Sequence, residues 1–401
     1  MEINAYFTVK ALIEGTCTTI DFSHYSYVMK LCKASGAQDI IHRESEVYFS
    51  QGGESLLHFI PYEGGLAETP LVYCDLFCAG ICTDKNILIN SFSNASNTND
   101  WTVFNKKMSR GETTKNQRFD KICSISEKRI FIDPQFPIGH PKDPFEKSKI
   151  ERQLAARLRY EALESEYMIN GYPDQGEASL CGPAVFFYVL LKDDPASYCQ
   201  VIKDLWNDGR AMIGDLKVIP SKGVCNPKNY TSHSGETRVP AIDWISMASL
   251  RDNENIFFDY SSPDQQFSGL TMPEGIAKWA QSMGATVIYR DMSLFSWSVR
   301  KVIELSDYVS PTTHLAVLIN HGLIYGGESG FPSHWIVLEE KLQVVGTSKP
   351  IDQNTSPDTQ VDVELFSWAE RKKMSKFYIN RTRTLKDLCS YVYGAVVFEK
   401  F

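Results

Sequence analysis

The run Gln175-Gly176-Glu177-Ala178-Ser179-Leu180-Cys181-Gly182-Pro183, continued by Ala184-Val185-Phe186-Phe187-Tyr188-Val189-Leu190-Leu191, constrains this chain more than any other. A small polar loop hands a cysteine to the first turn of a strongly apolar helix. Pro183 suits that turn, where its missing N–H costs nothing. The unpaired amides and dipole of a helix N-terminus favour negative charge, so a thiol placed there is expected to ionise more readily. Gln175 stands six residues before the thiol. Far downstream, Ser333-His334-Trp335-Ile336-Val337-Leu338 sets a histidine at the head of an apolar strand, with Trp335 and Ile336 facing alternate ways.

A chain of 401 residues has room for two or three domains. Its 43% apolar and 12% aromatic content can fill a large core without covalent staples. The net charge of −8 argues against a general grip on nucleic acid, which wants clustered Lys and Arg. Ten cysteines are scattered rather than framed in pairs, so reduced and mostly buried thiols are expected, with synthesis in a cytosol. Met1-Glu2-Ile3-Asn4-Ala5-Tyr6-Phe7 does not read as a signal peptide. No apolar run reaches the roughly 18 residues of a membrane span. Work outside the producing cell would therefore need a specialised secretion system.

The pattern of elements divides the chain into a β-rich accessory domain over 1–143 and an α+β domain over 144–401. In the first, short β-rich runs recur at Val47–Phe49, Leu56–Ile60, Pro70–Tyr73, Ile87–Asn90 and Arg129–Ile132, with polar turns between them. Ser91 to Asp100 reads as an exposed loop. Pro134, Pro137, Pro141 and Pro144 read as a stiff linker. An amphipathic helix is expected from Phe145 to about Ile169, ending at Asn170-Gly171. Helices follow near Cys181, over Ala196–Asn207 and over Pro273–Met283. A long middle, holding Asp243-Trp244 and Ser249-Leu250-Arg251-Asp252, reads as irregular. Strands then accumulate at Ala285–Tyr289, Leu315–Asn320, His334–Leu338, Leu342–Val345, Val361–Phe366 and Tyr393–Phe398. A helical front and a sheet-rich back give an α+β layout.

The chemistry centres on three side chains. A thiolate is a far better nucleophile than a thiol, and a partner imidazole both ionises the sulfur and protonates a leaving group. Cys181 and His334 fit those roles. Gln175 can donate a side-chain N–H to an oxyanion beside the Cys181 amide. His314, which heads the strand Leu315–Ile319, and His321, in the turn Asn320-His321-Gly322, compete for the base. Cys74, Cys78 and Cys82 are spaced by four but lack a paired Cys-x-x-Cys or clustered His, so no metal is expected. No cofactor motif is present, since Gly322 and Gly326-Gly327 lack nucleotide-loop spacing.

Gln175, Cys181 opening a helix, and the His334 strand resemble the papain-like cysteine peptidase pattern. Cys181-Gly182-Pro183-Ala184 resembles the form found in bacterial members of that clan. Gly176 to Pro183, with Asp243-Trp244 and Ser249 to Asp252, also resembles large bacterial secreted effectors and toxins with such domains. The resemblance covers roughly residues 170–400. It implies a papain-like fold, with the Cys helix packed on an antiparallel sheet that carries the His. It implies a peptidase with Cys181, His334 and Gln175 as catalytic residues, acting on a protein or peptide substrate, with a cognate inhibitor or immunity protein in the producer. Phe366-Ser367-Trp368 looks like the family's Asn-Ser-Trp segment, yet Phe366 cannot orient an imidazole. Asp352, Asp362 or no third member at all remain open for that role. The same Cys–His dyad also suits acyl transfer, deamidation or cell-wall amide hydrolysis. A catalytically degenerate papain-like scaffold that binds a partner is the non-enzymatic alternative.

Overall fold

A helix that is apolar on every side has to be wrapped on every side. In the computed structural model, residues Cys181 to Leu191 of the Cys181–Asp193 helix are all buried. The structure describes residues 5–10, 22–33, 35–50, 71–78, 81–91, 117–122, 129–136, 140, 142–162, 169–233, 235–254, 261–264, 271–347 and 349–401. The runs expected as a strand at Leu56–Ile60 and as a loop after Ser91 lie outside them. So do Leu163 and Tyr167 of the expected long helix.

The chain divides into two units, one of residues 1–129 with 135–148, the other of residues 130–134 with 149–401. The first unit is strand-rich. Strands β1 (Ala5–Lys10) and β7 (Gln117–Ile122) pair in parallel. Strands β2 (Tyr25–Cys32), β3 (Ile40–Arg43), β4 (Val47–Tyr48), β5 (Leu71–Cys78) and β6 (Ile81–Ser91) form an antiparallel sheet in the order β3-β2-β5-β6, with β4 also on β2. Cys74, Cys78 and Cys82 lie on its β5–β6 hairpin. Of the proline-rich stretch, Pro137 and Pro141 lie outside the described residues. Phe136 and Phe145 are buried there, and Asp143 accepts from Arg129 at 2.5 Å.

The second unit is α+β with antiparallel sheets. Its main sheet has six strands in the order β10-β18-β11-β12-β15-β16. These are β10 (Val287–Met292), β11 (Thr313–Ile319), β12 (His334–Leu338), β15 (Glu364–Ser367), β16 (Glu370–Lys373) and β18 (Val392–Glu399). Every pairing between them is antiparallel. A three-stranded sheet joins β13 (Gln343–Val344), β14 (Gln360–Asp362) and β17 (Arg383–Thr384), and a small hairpin joins β8 (Ala211–Ile213) to β9 (Leu216–Val218). Strands β11 and β18 are near-continuous apolar runs because both are central and covered on two faces. The Cys181–Asp193 helix packs on β12. Ile336, Val317 and Leu315 instead face a cluster with Val302, Leu305 and Leu388.

Local chemistry sets the helix ends. Pro195–Asp208 opens on Asp194, whose carboxylate accepts from Ser197 N at 3.0 Å, and closes on Gly209 in the left-handed region at φ 61°. The helix expected to reach Ile169 spans only Lys147–Leu158 and stops where Tyr160 turns to φ 55°. Arg129–Ile132 is extended but forms no strand. Its amides bond instead to Trp206 O and Cys225 O. The middle read as irregular is helical over residues 241–254. It runs through Ala241–Asp243, a π turn over Trp244–Ala248, and Ser249–Glu254. The single strand expected over Val361–Phe366 breaks into β14 and β15, in different sheets, because the Asp362 side chain takes the Val363 amide.

Candidate active site

Cys181 stands at an uncapped helix start. Leu180 stands at the N-cap and offers no side-chain acceptor, so the first amides stay open. The backbone N–H groups of Trp335, Gly182 and Cys181 lie against the Cys181 sulfur and favour its ionised form, as does the charge of Arg251. Gly182 is required by packing. A Cβ there would meet Thr271 Oγ1 at 2.2 Å. Thr271 also receives the Trp335 indole N–H on its carbonyl at 2.8 Å and Arg251 Nη1 on its hydroxyl at 3.3 Å. One residue thus ties the helix start, β12 and Arg251 together.

Burial outweighs these favourable groups. Cys181 is buried, and desolvation pushes its thiol pKa up, not down as the helix position alone suggests. His334 moves the other way. Burial first, and the charge of His321 second, lower it to about 3. Burial thus favours the neutral form of both the thiol and the imidazole.

The imidazole is held on two sides. Its Nε2 bonds to Ser367 Oγ at 2.8 Å, and its ring stacks on Trp368 at 3.7 Å with an interplanar angle of 4°. The β12–β15 register pairs Val337 with Phe366, which carries Ser367 and Trp368 to the His334 end of the strand. Phe366 stacks on Tyr188 of the nucleophile helix at 3.9 Å and so fixes β15 against it. Nε2 is thus met by a hydroxyl and not by a carboxylate.

A cleft of about 480 Å³ brings Gln175, Cys181 and His334 together with His321, Tyr325, Ser333 and Trp368. The loop Gly176–Ser179 forms one lip. His321 shares the cleft but is exposed, and its Nδ1 lies 2.9 Å from Ser333 Oγ. His314 sits elsewhere. Its Nε2 lies 2.7 Å from Asp193, at the opposite end of the nucleophile helix. Asp352 and Asp362 are both engaged locally. The first is exposed and accepts from Asn354 N and Thr355 Oγ1. The second accepts from Val363 N, Ser375 N and Ser375 Oγ. The side chain that bonds the His334 ring is instead Ser367, which directly follows Phe366. Among the described residues no cluster of His, Cys, Asp and Glu could hold a metal ion, and no helix is long and apolar enough to cross a membrane. No protein-family model, curated protein or solved structure matches this chain.

Proposed function

We propose that the second unit is a cysteine hydrolase of papain-like layout, acting first as a peptidase. The observation that carries this reading is a buried thiol at a helix N-terminus sharing a cleft with a buried imidazole fixed through Nε2. The thiol gives its proton to His334 as sulfur attacks the substrate carbonyl. The oxyanion is received by the Gln175 carboxamide and the Cys181 amide. As the scissile C–N bond breaks, the imidazolium protonates the leaving amine and an acyl-thioester remains. His334 then takes a proton from water, the resulting hydroxide attacks the thioester, and the carboxylic acid leaves as the thiol is restored. Delivery into other cells as an effector or toxin, with an immunity protein guarding the producer, belongs to this reading and rests on the sequence resemblance.

The test is the rate of Cys181 acylation by p-nitrophenyl acetate and its alkylation by iodoacetamide across pH. Cys181→Ala should remove the acyl-enzyme. His334→Ala should slow acylation by about a thousandfold, the order expected for losing a positioned general base. Acylation indifferent to His334, with alkylation like that of a free thiol, would overturn the hydrolase and leave a papain-like binding scaffold.

A further inference from the structure

Arg157 and Asp243 are both fully buried and form a two-pronged ion pair, with Nη1–Oδ1 and Nη2–Oδ2 each at 2.7 Å. Sequestering two charges is costly, and well-packed apolar residues usually stabilise a fold as well or better. What an apolar pair cannot do is hold backbone groups at fixed points. Here two further bonds of the pair go to one segment. Arg157 Nε donates to Asn170 O at 3.0 Å, and Asp243 Oδ2 accepts the Asp174 amide at 3.0 Å. Tyr198 OH accepts from Arg157 Nη1 at 2.7 Å and locks the guanidinium from the far side.

The segment so held leads straight into the cleft. Asp174 Oδ1 accepts from Gly176 N at 2.8 Å, and Gln175 O accepts from Ala178 N at 3.0 Å. Gly176 has φ 52°, and a Cβ there would lie 2.0 Å from Arg238 O, so only glycine fits at this close approach. Gln175 itself is buried at the cleft wall. Asp243 immediately precedes the π turn over Trp244–Ala248, a local irregularity often found at functional sites.

We infer that Arg157 and Asp243 are positioning residues for the proposed reaction: Asp243 pins the Asp174 amide, and the pair thereby aims the Gln175 carboxamide at the oxyanion beside Cys181. The inference rests on the hydrolase reading above. It makes the ion pair part of the transition-state machinery without touching substrate.

The experiment uses the full chain, p-nitrophenyl acetate for acylation and iodoacetamide for the nucleophile. The charge-neutral double variant Arg157→Met/Asp243→Leu keeps no unpaired buried charge. It should lower the maximal acylation rate about a hundredfold, as loss of one oxyanion donor does, with the half-saturating ester concentration unchanged. Alkylation of Cys181 should stay within about twofold of wild type, because the helix start is untouched. Adding Gln175→Ala to the double variant should cost almost nothing more, since both changes remove one interaction. Arg157→Lys keeps the charge but not the fork, and should lose about tenfold while folding normally. It carries the test if circular dichroism shows the double variant unfolded. A fully additive loss, a parallel fall in alkylation, or unchanged acylation in Arg157→Lys and the double variant would overturn the inference. Gln175→Ala without effect, in a protein that Cys181→Ala inactivates, would overturn it while leaving the nucleophile in place. Acylation surviving Cys181→Ala would instead remove the hydrolase reading itself.

Discussion

The Cys181–Asp193 helix meets a buried histidine at each of its ends, and the two meetings are chemically opposite. At its C-terminal end Asp193 bonds to His314 of β11 at 2.7 Å. At its N-terminal end Cys181 shares a cleft with His334 of β12. Both imidazoles are equally buried, at 3% exposure. What differs is the partner on the ring. Burial works against ionising Asp193, but the His314 hydrogen bond and charge, with the Phe401 amide, hold its pKa below the usual carboxylate range. His334 has a hydroxyl in place of a carboxylate, and burial with His321 drives its pKa down to about 3. A carboxylate beside an imidazole in general favours the charged ring. A hydroxyl orients the ring without charging it, which is what the proposed base requires.

The largest test of that contrast removes one histidine at a time. His314→Ala strands the buried Asp193 carboxylate, and the loss of stability should be about 3 kcal/mol. Acylation of Cys181 should persist in the folded fraction, because the helix of 13 residues puts roughly 18 Å between its ends. His334→Ala should do the reverse, keeping most stability and losing acylation. Thermal melting beside acylation kinetics separates the two. A matched loss of both properties in both variants would show that the two ends are not distinct.

The next effect is a pH dependence. His334 titrates near 6.5 when unfolded and at about 3 when folded. Its neutral burial is compatible with the fold above pH 6.5. Below that value the unfolded chain takes up a proton that the folded one refuses, so stability falls as the pH drops toward 3. Between pH 6.5 and pH 5 this one residue should remove about 2 kcal/mol. His334→Gln should lack that component, and melting at the two pH values in both proteins measures the difference. Identical acid sensitivity would mean that the imidazole is already charged in the native state.

How far the sequence reveals this site depends on how local each signal is. Cys181, Gln175 and His334 are marked by short patterns, a thiol against an apolar helix and a histidine at the head of an alternating strand. The Pro195–Asp208 helix is bracketed by Asp194 and Gly209, and was legible for the same reason. Ser367 was not. A serine in a strand has no meaning until β15 is placed in register beside β12, which is a long-range fact. The Arg157–Asp243 pair spans 86 residues, and neither residue signals the other. The helical stretch from Ala241 was hidden because Ser246, Ser249, Arg251 and Asp252 break the expected polar face. All four are buried. The stop at Leu158 came from Tyr160 adopting a left-handed conformation without a glycine to announce it.

The finest adjustment available at the reactive end is Ser367. Removing its hydroxyl, as in Ser367→Ala, leaves a buried ring nitrogen without this partner and should cost about 1 kcal/mol of stability. The ring would still be clamped by Trp368, which stacks on it at 3.7 Å, so acylation should slow and not disappear. Ser367→Asp goes the other way and rebuilds the His334 end as a copy of the His314 end. An opposite charge within hydrogen-bonding distance typically moves a pKa by about 1–3 units toward the charged form. The His334 pKa should therefore rise, and with it the thiolate fraction of Cys181, because an imidazolium beside the sulfur favours its ionisation. Alkylation near pH 6 should then be faster in Ser367→Asp than in wild type, while proton transfer to substrate becomes slower from a ring held charged. An imidazole titration unchanged by the carboxylate would mean that burial, and not the partner on Nε2, decides how the two histidines differ.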